Sequence, residues 1–157
     1  MRYFMLDRVT ALNPGESAAA VKNISLSDDV LHDHFPDYPI FPGALVVEAM
    51  AQLGGFLLEM SINRPEMIRR ALLAQIDQAK FYRPAEPGDQ ILLYAQMAEQ
   101  MVDAARVKIR LDISGEKMAL AKLTFALREI DSEKIHQQRR YVYRLWTRHL
   151  KPVPQIL

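Results

Sequence analysis

Residues 31–59 change character abruptly at Gly43, and this change limits how the whole chain can fold. Three prolines between residues 36 and 42 fix φ, lack N–H donors and hold the residues before them extended, so this half cannot be helical. From Ala44 to Leu58 the sequence is apolar apart from Glu48, Gln52 and two glycines. A helix that is apolar on nearly all sides is a buried helix. The stretch therefore predicts a rigid loop that leads into a central helix over roughly residues 43–60.

The second half of the chain has the pattern of antiparallel strands. Charged and apolar residues alternate over Arg106–Ile113, which is typical of a strand with one solvent-exposed and one buried face. Ser114-Gly115 then turns the chain, and residues 119–127 carry apolar side chains at every second position. Short turns between successive strands indicate an antiparallel sheet. Because the sheet has an apolar face to cover, the central helix is expected to pack against it, giving an α+β fold.

The last segment predicts a separate amphipathic helix. Asp131 or Ser132 can cap a helix that runs to about Leu150. Its polar positions are strongly basic: Lys134, Arg139, Arg140, Arg144, Arg148 and Lys151. We expect residues 1–130 to form one domain and residues 131–157 a basic helical extension. Packing on the sheet or on a neighbouring subunit is favoured, and contact with an acidic carrier protein or a membrane surface is the alternative.

Composition excludes several classes of function. The net charge of +1 gives no global case for nucleic-acid binding, and the absence of cysteine rules out disulfides, a thiol nucleophile and thiolate metal sites. His32-Asp33-His34 lacks nearby further ligands, so no metal site is expected. The N-terminus does not resemble a signal peptide, and the longest apolar run is predicted to be too short and too polar to span a bilayer. These features predict a cytoplasmic protein without a transmembrane segment.

Three groups near Gly43 have the properties needed for acid–base chemistry beside a carbonyl. His34 has an ordinary pKa near neutrality and can serve as a base. Glu48 and Gln52 share a helix face, and apolar surroundings should raise the pKa of the Glu48 carboxyl, so that it can act as an acid. Gly43 lies in the first helical turn, where a free N–H can donate to an oxyanion. Together these groups could remove a proton next to a carbonyl and expel a β-hydroxyl.

In this order and spacing, the motifs resemble the β-hydroxyacyl-acyl carrier protein dehydratases, the FabZ-like enzymes with a hotdog fold. The similarity covers roughly residues 3–130. It rests on five motifs: Tyr3-Phe-Met-Leu-Asp-Arg-Val9, His34-Phe-Pro, Pro39-Ile-Phe-Pro42-Gly43, Glu48-Ala-Met-Ala-Gln52 and Lys80-Phe-Tyr-Arg-Pro84 followed by Pro87-Gly-Asp-Gln90. The resemblance implies a long central helix wrapped by a curved antiparallel sheet.

The resemblance also implies a function and residue roles. The expected reaction is dehydration of (3R)-3-hydroxyacyl-acyl carrier protein to the trans-2-enoyl product in fatty-acid or related acyl-chain synthesis, without a cofactor. His34 would be the base, Glu48 the acid and Gly43 the oxyanion donor. Family members form each site from His of one subunit and Glu of another, so a homodimer or a trimer of dimers is expected. The acyl carrier protein would be the partner.

Further expectations concern substrate contacts and departures from the family pattern. Besides Gln52, the predicted substrate-binding residues are Phe41, Pro42 and Phe81. Asp37 stands where the family usually has glycine, which predicts an altered substrate preference. Two alternatives use the same fold: a thioesterase in which Glu48 activates water, and a non-catalytic acyl-binding or assembly subunit.

Overall fold

The computed structural model describes residues 3–157, which form two α-helices, one short 3-10 helix (Asp29–Leu31) and one six-stranded sheet. The helices are α1 (Gly43–Ile62) and α2 (Glu133–Thr147). The strands are β1 (Arg8–Asn13), β2 (Ser17–Asn23), β3 (Arg70–Phe81), β4 (Gln90–Gln100), β5 (Ala104–Ile113) and β6 (Glu116–Arg128). The order across the sheet is β1-β2-β4-β5-β6-β3, and all neighbouring strands are antiparallel. The predicted hotdog arrangement, with a central helix, a curved antiparallel sheet and a C-terminal helix, is confirmed.

Helix α1 begins and ends where its sequence dictates. Pro42 has an extended ψ of 132° and precedes the first helical residue, and Asn63 is again extended, with ψ 141°. Half of the helix is buried, and Met50, Leu53 and Phe56 have no exposed surface. By length and composition the 20 residues of α1 could cross a membrane, so the prediction that this run is too short and too polar to span a bilayer was wrong. Since 61% of its most apolar window is buried inside the molecule, α1 has the packing of a core helix.

Alternation places one face of the sheet against α1. On β6 the residues Ala119, Ala121, Leu123, Phe125 and Leu127 are all at most 5% exposed, as the sequence predicts. Gly54 of α1 lies so close to the sheet that a Cβ there would be 3.1 Å from the Phe125 ring. The helix therefore approaches β6 at a residue without a side chain, and this contact fixes the depth of α1 in the sheet.

Helix α2 covers part of α1 that the sheet leaves open. The Ser132 hydroxyl accepts a hydrogen bond from the Ile135 N–H at its start. Tyr143 and Trp146 bury their rings against Phe56 of α1, with centroid distances of 5.0 and 6.3 Å. The predicted amphipathic helix is therefore held by aromatic packing. Of its basic residues, Lys134, Arg144 and Arg148 are exposed, whereas Arg139 is half-buried.

Strand β3 is an edge strand with apolar residues on the outside. It pairs with β6 on one side, and within residues 3–157 no strand pairs with its other side. Leu72, Leu73 and Ile76 are 40–50% exposed along it. An edge strand of 12 residues with exposed apolar side chains offers unpaired backbone groups to another strand, and native proteins normally cover or protect such an edge.

Candidate active site

The Glu48 carboxyl is oriented by a glutamine whose own orientation is fixed. Gln52 Nε2 donates to Glu48 Oε1 at 2.8 Å and to the Tyr3 carbonyl at 3.0 Å. Gln52 Oε1 accepts from the Met5 N–H at 2.9 Å. Only one orientation of the Gln52 amide satisfies all three hydrogen bonds, and it places the NH₂ group toward Glu48. The N-terminal segment thus crosses α1 and holds Gln52, which in turn holds Glu48.

Glu48 opens onto a groove of about 910 Å³, called the Glu48 groove below. One wall is a single face of α1, with Glu48, Gln52, Gly55 and Glu59 at steps of four, three and four residues. The beginning of β3 forms the floor, and α2 forms the opposite wall. In the described chain Glu48 is half-buried and accepts a hydrogen bond only from Gln52. A partly desolvated carboxyl with an unoccupied oxygen beside a groove can exchange a proton with a bound molecule.

The loop that carries His34 is held by its own backbone. The Ile40 N–H donates to the His34 carbonyl at 2.8 Å, while Phe35 and Tyr38 exchange two hydrogen bonds of 2.9 Å. Asp37 lies within this turn at φ 62°. This left-handed conformation favours glycine, which gives a physical reason for the glycine that the family pattern has at this position.

The structure does not bring His34 into the Glu48 groove of its own chain. The His34 side chain is half-buried, and its ring lies 4.1 Å from the Phe35 ring. It is not among the residues that line the Glu48 groove. Within one described chain the two residues predicted to carry out proton transfer therefore belong to different surfaces.

Gly43 begins α1 beside an aromatic ring. A Cβ at this position would lie 3.5 Å from the Phe81 ring, and Phe81 itself is 48% exposed. The N–H of the first helical residue has no acceptor within its helix, and the helix dipole makes it a good donor to an anion. Glycine leaves access to this N–H, and Phe81 forms one side of the approach.

Phe41 and Pro42, the other two predicted substrate contacts, mainly contact other parts of the fold. Phe41 is 5% exposed, its N–H donates to the Ala85 carbonyl at 2.8 Å, and the Lys22 ammonium lies 5.8 Å from its ring centroid. Pro42 is half-buried directly before α1. Both residues anchor the loop to the core, and their contact with substrate stays a prediction.

Sequence reasoning missed a buried polar cluster at the far end of the groove. Arg70 and Glu59 form an ion pair of 2.8 Å with side chains 1% exposed, and Glu59 also accepts from the Ala71 N–H at 3.0 Å. Arg70 contacts His136 Nδ1 of α2 at 2.9 Å, and the other ring nitrogen of His136 lies 2.8 Å from the Ile130 carbonyl. Burial, reinforced by the negative charge of Glu59, raises the pKa of Tyr143 well above its ordinary value.

In the sequence, the only signal for this cluster is the presence of charged residues within apolar stretches. Glu59 lies near the end of an apolar helix, and Arg70 begins an apolar strand. A charged residue in such a position is rarely buried unless it is paired. That signal indicates that partners exist, but it does not identify them, because His136 is 66 residues away from Arg70.

Comparisons with known proteins show the family to which the chain belongs. The FabA-like domain family model matches residues 1–122. The chain is 33% identical over 129 residues to the 3-hydroxyacyl-[acyl-carrier-protein] dehydratase FabZ of Listeria monocytogenes, covering 82% of this chain and 88% of the relative.

Solved structures share the fold at low sequence identity. The smu.793 protein of Streptococcus mutans, bound to acetyl CoA, superposes with a TM-score of 0.65 at 14% identity, covering 84% of this chain and 96% of that one. The thioesterase HI1161 of Haemophilus influenzae gives 0.62 at 12% identity, with 79% of each chain covered. At these identities the likeness concerns the fold alone.

Proposed function

The chain belongs to the FabA-like family that includes the FabZ dehydratases, and from this premise we propose that it dehydrates (3R)-3-hydroxyacyl thioesters. The product is the trans-2-enoyl thioester, and the substrate is carried on an acyl carrier protein, as the relative's name states for that enzyme. The proposal rests on one observation: the Glu48 carboxyl faces an open groove and is oriented by a hydrogen bond from Gln52. The pathway is fatty-acid or related acyl-chain synthesis.

The elimination uses one base, one acid and one oxyanion donor. The His34 imidazole takes the proton from C2, and the electrons of that C–H bond form the C2–C3 double bond as the C3–O bond breaks. Glu48, in its acid form, gives its proton to the departing hydroxyl, which leaves as water. The Gly43 N–H donates to the thioester oxygen, where negative charge develops. The proton on His34 then returns to Glu48 through solvent, which restores both groups.

Two copies of the chain form each complete site in this proposal. His34 does not line the Glu48 groove of its own chain, and β3 presents an apolar, unpaired edge within the described residues. Pairing of two β3 edges would extend the sheet and bury Leu72, Leu73 and Ile76. We therefore propose a homodimer, alone or within a trimer of dimers, in which His34 of one copy reaches Glu48 of the other.

Other parts of the proposal follow from the same premise. Gln52, Pro42, Phe41 and Phe81 contact the substrate or hold the loops that do. Residues 1–130 form the dehydratase-like domain, and residues 131–157 form an extension of it. The protein acts in the cytoplasm, where its partner is the acyl carrier protein that bears the substrate.

Dehydration can be followed by enoyl absorbance with purified protein and 3-hydroxyacyl-acyl carrier protein. We expect Glu48→Gln and His34→Ala each to lower kcat by about 10²-fold or more, because each removes a proton-transfer group. His32→Ala is the matched control, since His32 is an exposed histidine two residues away, and it should keep wild-type activity. Wild-type rates in both site variants would reject the mechanism.

The same assay distinguishes the alternative activities. A thioesterase would release free thiol without enoyl product. An acyl-binding subunit would retain the thioester unchanged. Either result from the wild-type protein would overturn the proposed function.

A further inference from the structure

We propose that α2 is a specificity element, whose groove-facing side chains select the acyl group by its length. This inference rests on the proposed function, because it takes the Glu48 groove as the site of the acyl chain. The family model matches residues 1–122, so α2 (Glu133–Thr147) lies beyond the matched part of the chain. The selection would therefore depend on a segment that the family match does not cover.

The Glu48 groove continues directly from the catalytic carboxyl. Glu48 and Glu59 are eleven residues apart on one face of α1, which corresponds to about 16 Å along the helix axis. Gly55 lies between them and lines the groove without a side chain. An acyl chain attached to a thioester at Glu48 can thus lie along α1, and its far end would approach Glu59.

Helix α2 forms the wall opposite α1 along this path. Ile135, Gln138 and Val142 line the groove at steps of three and four residues, so they share one face of α2. The helix is held in place by Tyr143 and Trp146, whose rings pack on Phe56. A wall anchored in this way has a fixed distance from α1, and the size of its side chains sets the width of the groove.

The distal end of the groove is closed by buried charges. The Glu59–Arg70 pair is 1% exposed and satisfied by hydrogen bonds to Ala71 and His136. A hydrocarbon terminus cannot replace these hydrogen bonds, and displacing them would leave buried charges unpaired. The pair therefore sets a limit on acyl length, and chains that reach beyond about 16 Å from Glu48 should be poor substrates.

Two adjacent glutamines of α2 provide a matched test. Gln138 and Gln137 are both exposed, but only Gln138 lines the Glu48 groove, while Gln137 lies at a shallow surface depression on the outside of α2. Gln138→Trp fills part of the groove with little risk to folding. Gln137→Trp introduces the same side chain outside it.

The measurement is kcat/KM for 3-hydroxybutyryl, 3-hydroxyoctanoyl and 3-hydroxytetradecanoyl thioesters, together with the oligomeric state of each variant. Gln138→Trp should lower kcat/KM for the longer substrates by about tenfold or more, within the range that small changes in pocket volume produce, and leave 3-hydroxybutyryl within about twofold. Gln137→Trp should leave all three unchanged.

The outcomes separate this inference from the proposed function. If the wild type dehydrates none of the three substrates, the proposed function fails. The inference about α2 is overturned if the wild type is active but Gln138→Trp changes kcat/KM equally for all three substrates. It is also overturned if Gln138→Trp acts only by altering the oligomeric state. The same holds if Gln137→Trp gives the length dependence expected of Gln138→Trp.

Discussion

Two glutamates on the same face of α1 have opposite surroundings. Glu59 is 2% exposed, and its two oxygens accept hydrogen bonds from the Arg70 guanidinium and the Ala71 N–H. Glu48 is half-buried, and within the described chain it accepts only one hydrogen bond, from the neutral Gln52 amide. Both residues are glutamates on the same helix face. The number and charge of their hydrogen-bond partners therefore distinguish the carboxyl that is available for chemistry from the one that stabilises the fold.

Exchanging each carboxylate for its amide is the strongest test of this contrast. Glu48→Gln should lose about 10²-fold or more in activity and keep nearly the wild-type free energy of unfolding. Glu59→Gln leaves the Arg70 charge buried without its counter-ion, so the free energy of unfolding should fall by about 3–5 kcal/mol. Urea unfolding and the dehydration assay measure the two effects separately. A stable Glu59→Gln, or a Glu48→Gln with unchanged activity, would break the comparison.

Adjacent glycines of α1 sharpen the comparison between its sheet-facing and groove-facing sides. A methyl group at Gly54 would lie 3.1 Å from the buried Phe125 ring, whereas at Gly55 its nearest neighbours are at an ordinary 3.7 Å. Overpacking should exceed the gain in helix propensity, so Gly54→Ala is expected to lower the free energy of unfolding by about 1–2 kcal/mol.

Gly55→Ala is the matched control for this effect. It should be neutral or stabilise the protein by up to about 1 kcal/mol. Equal destabilisation of the two variants in urea unfolding would show that the close contact between α1 and β6 is not what distinguishes them.

The smallest expected effect concerns Tyr143 at the Glu59 end of the groove. Burial raises the pKa of Tyr143 in the folded protein, so above the unfolded pKa of about 10 the unfolded state loses a proton that the folded state keeps. Stability should therefore fall by about 1.4 kcal/mol per pH unit above that value. In Tyr143→Phe this part of the alkaline slope should be absent. If the free energies of unfolding of the wild type and Tyr143→Phe changed with pH in the same way from pH 9 to 11, Tyr143 would not be the cause of the alkaline loss of stability.

Local patterns predicted the elements that position the site. The alternating residues of Arg106–Ile113 fall within β5 (Ala104–Ile113), and the helix expected at 43–60 is α1 (Gly43–Ile62). These elements follow from periodicity and from proline and glycine positions, which are properties of neighbouring residues. The family resemblance read from the motifs is confirmed by the match to the FabA-like model.

Features that depend on contacts between distant residues could not be predicted. Periodicity places Glu59 on the groove side of α1, but its pairing with Arg70 and the contact of Arg70 with His136 depend on how α2 crosses the molecule. Asp112 shows the same limit on a smaller scale. Alternation predicts that it is exposed, yet it is 8% exposed and accepts from Arg110 at 2.8 Å.

Subunit complementation tests the shared active site most directly. His34→Ala and Glu48→Gln variants, each nearly inactive alone, can be mixed or co-expressed so that mixed dimers form. One of the two sites in a mixed dimer would then contain the intact His34 of one copy and the intact Glu48 of the other. We predict that dehydration returns in proportion to the mixed dimer. Mixed dimers that stay inactive, when isolated with two different affinity tags, would contradict a site shared between copies.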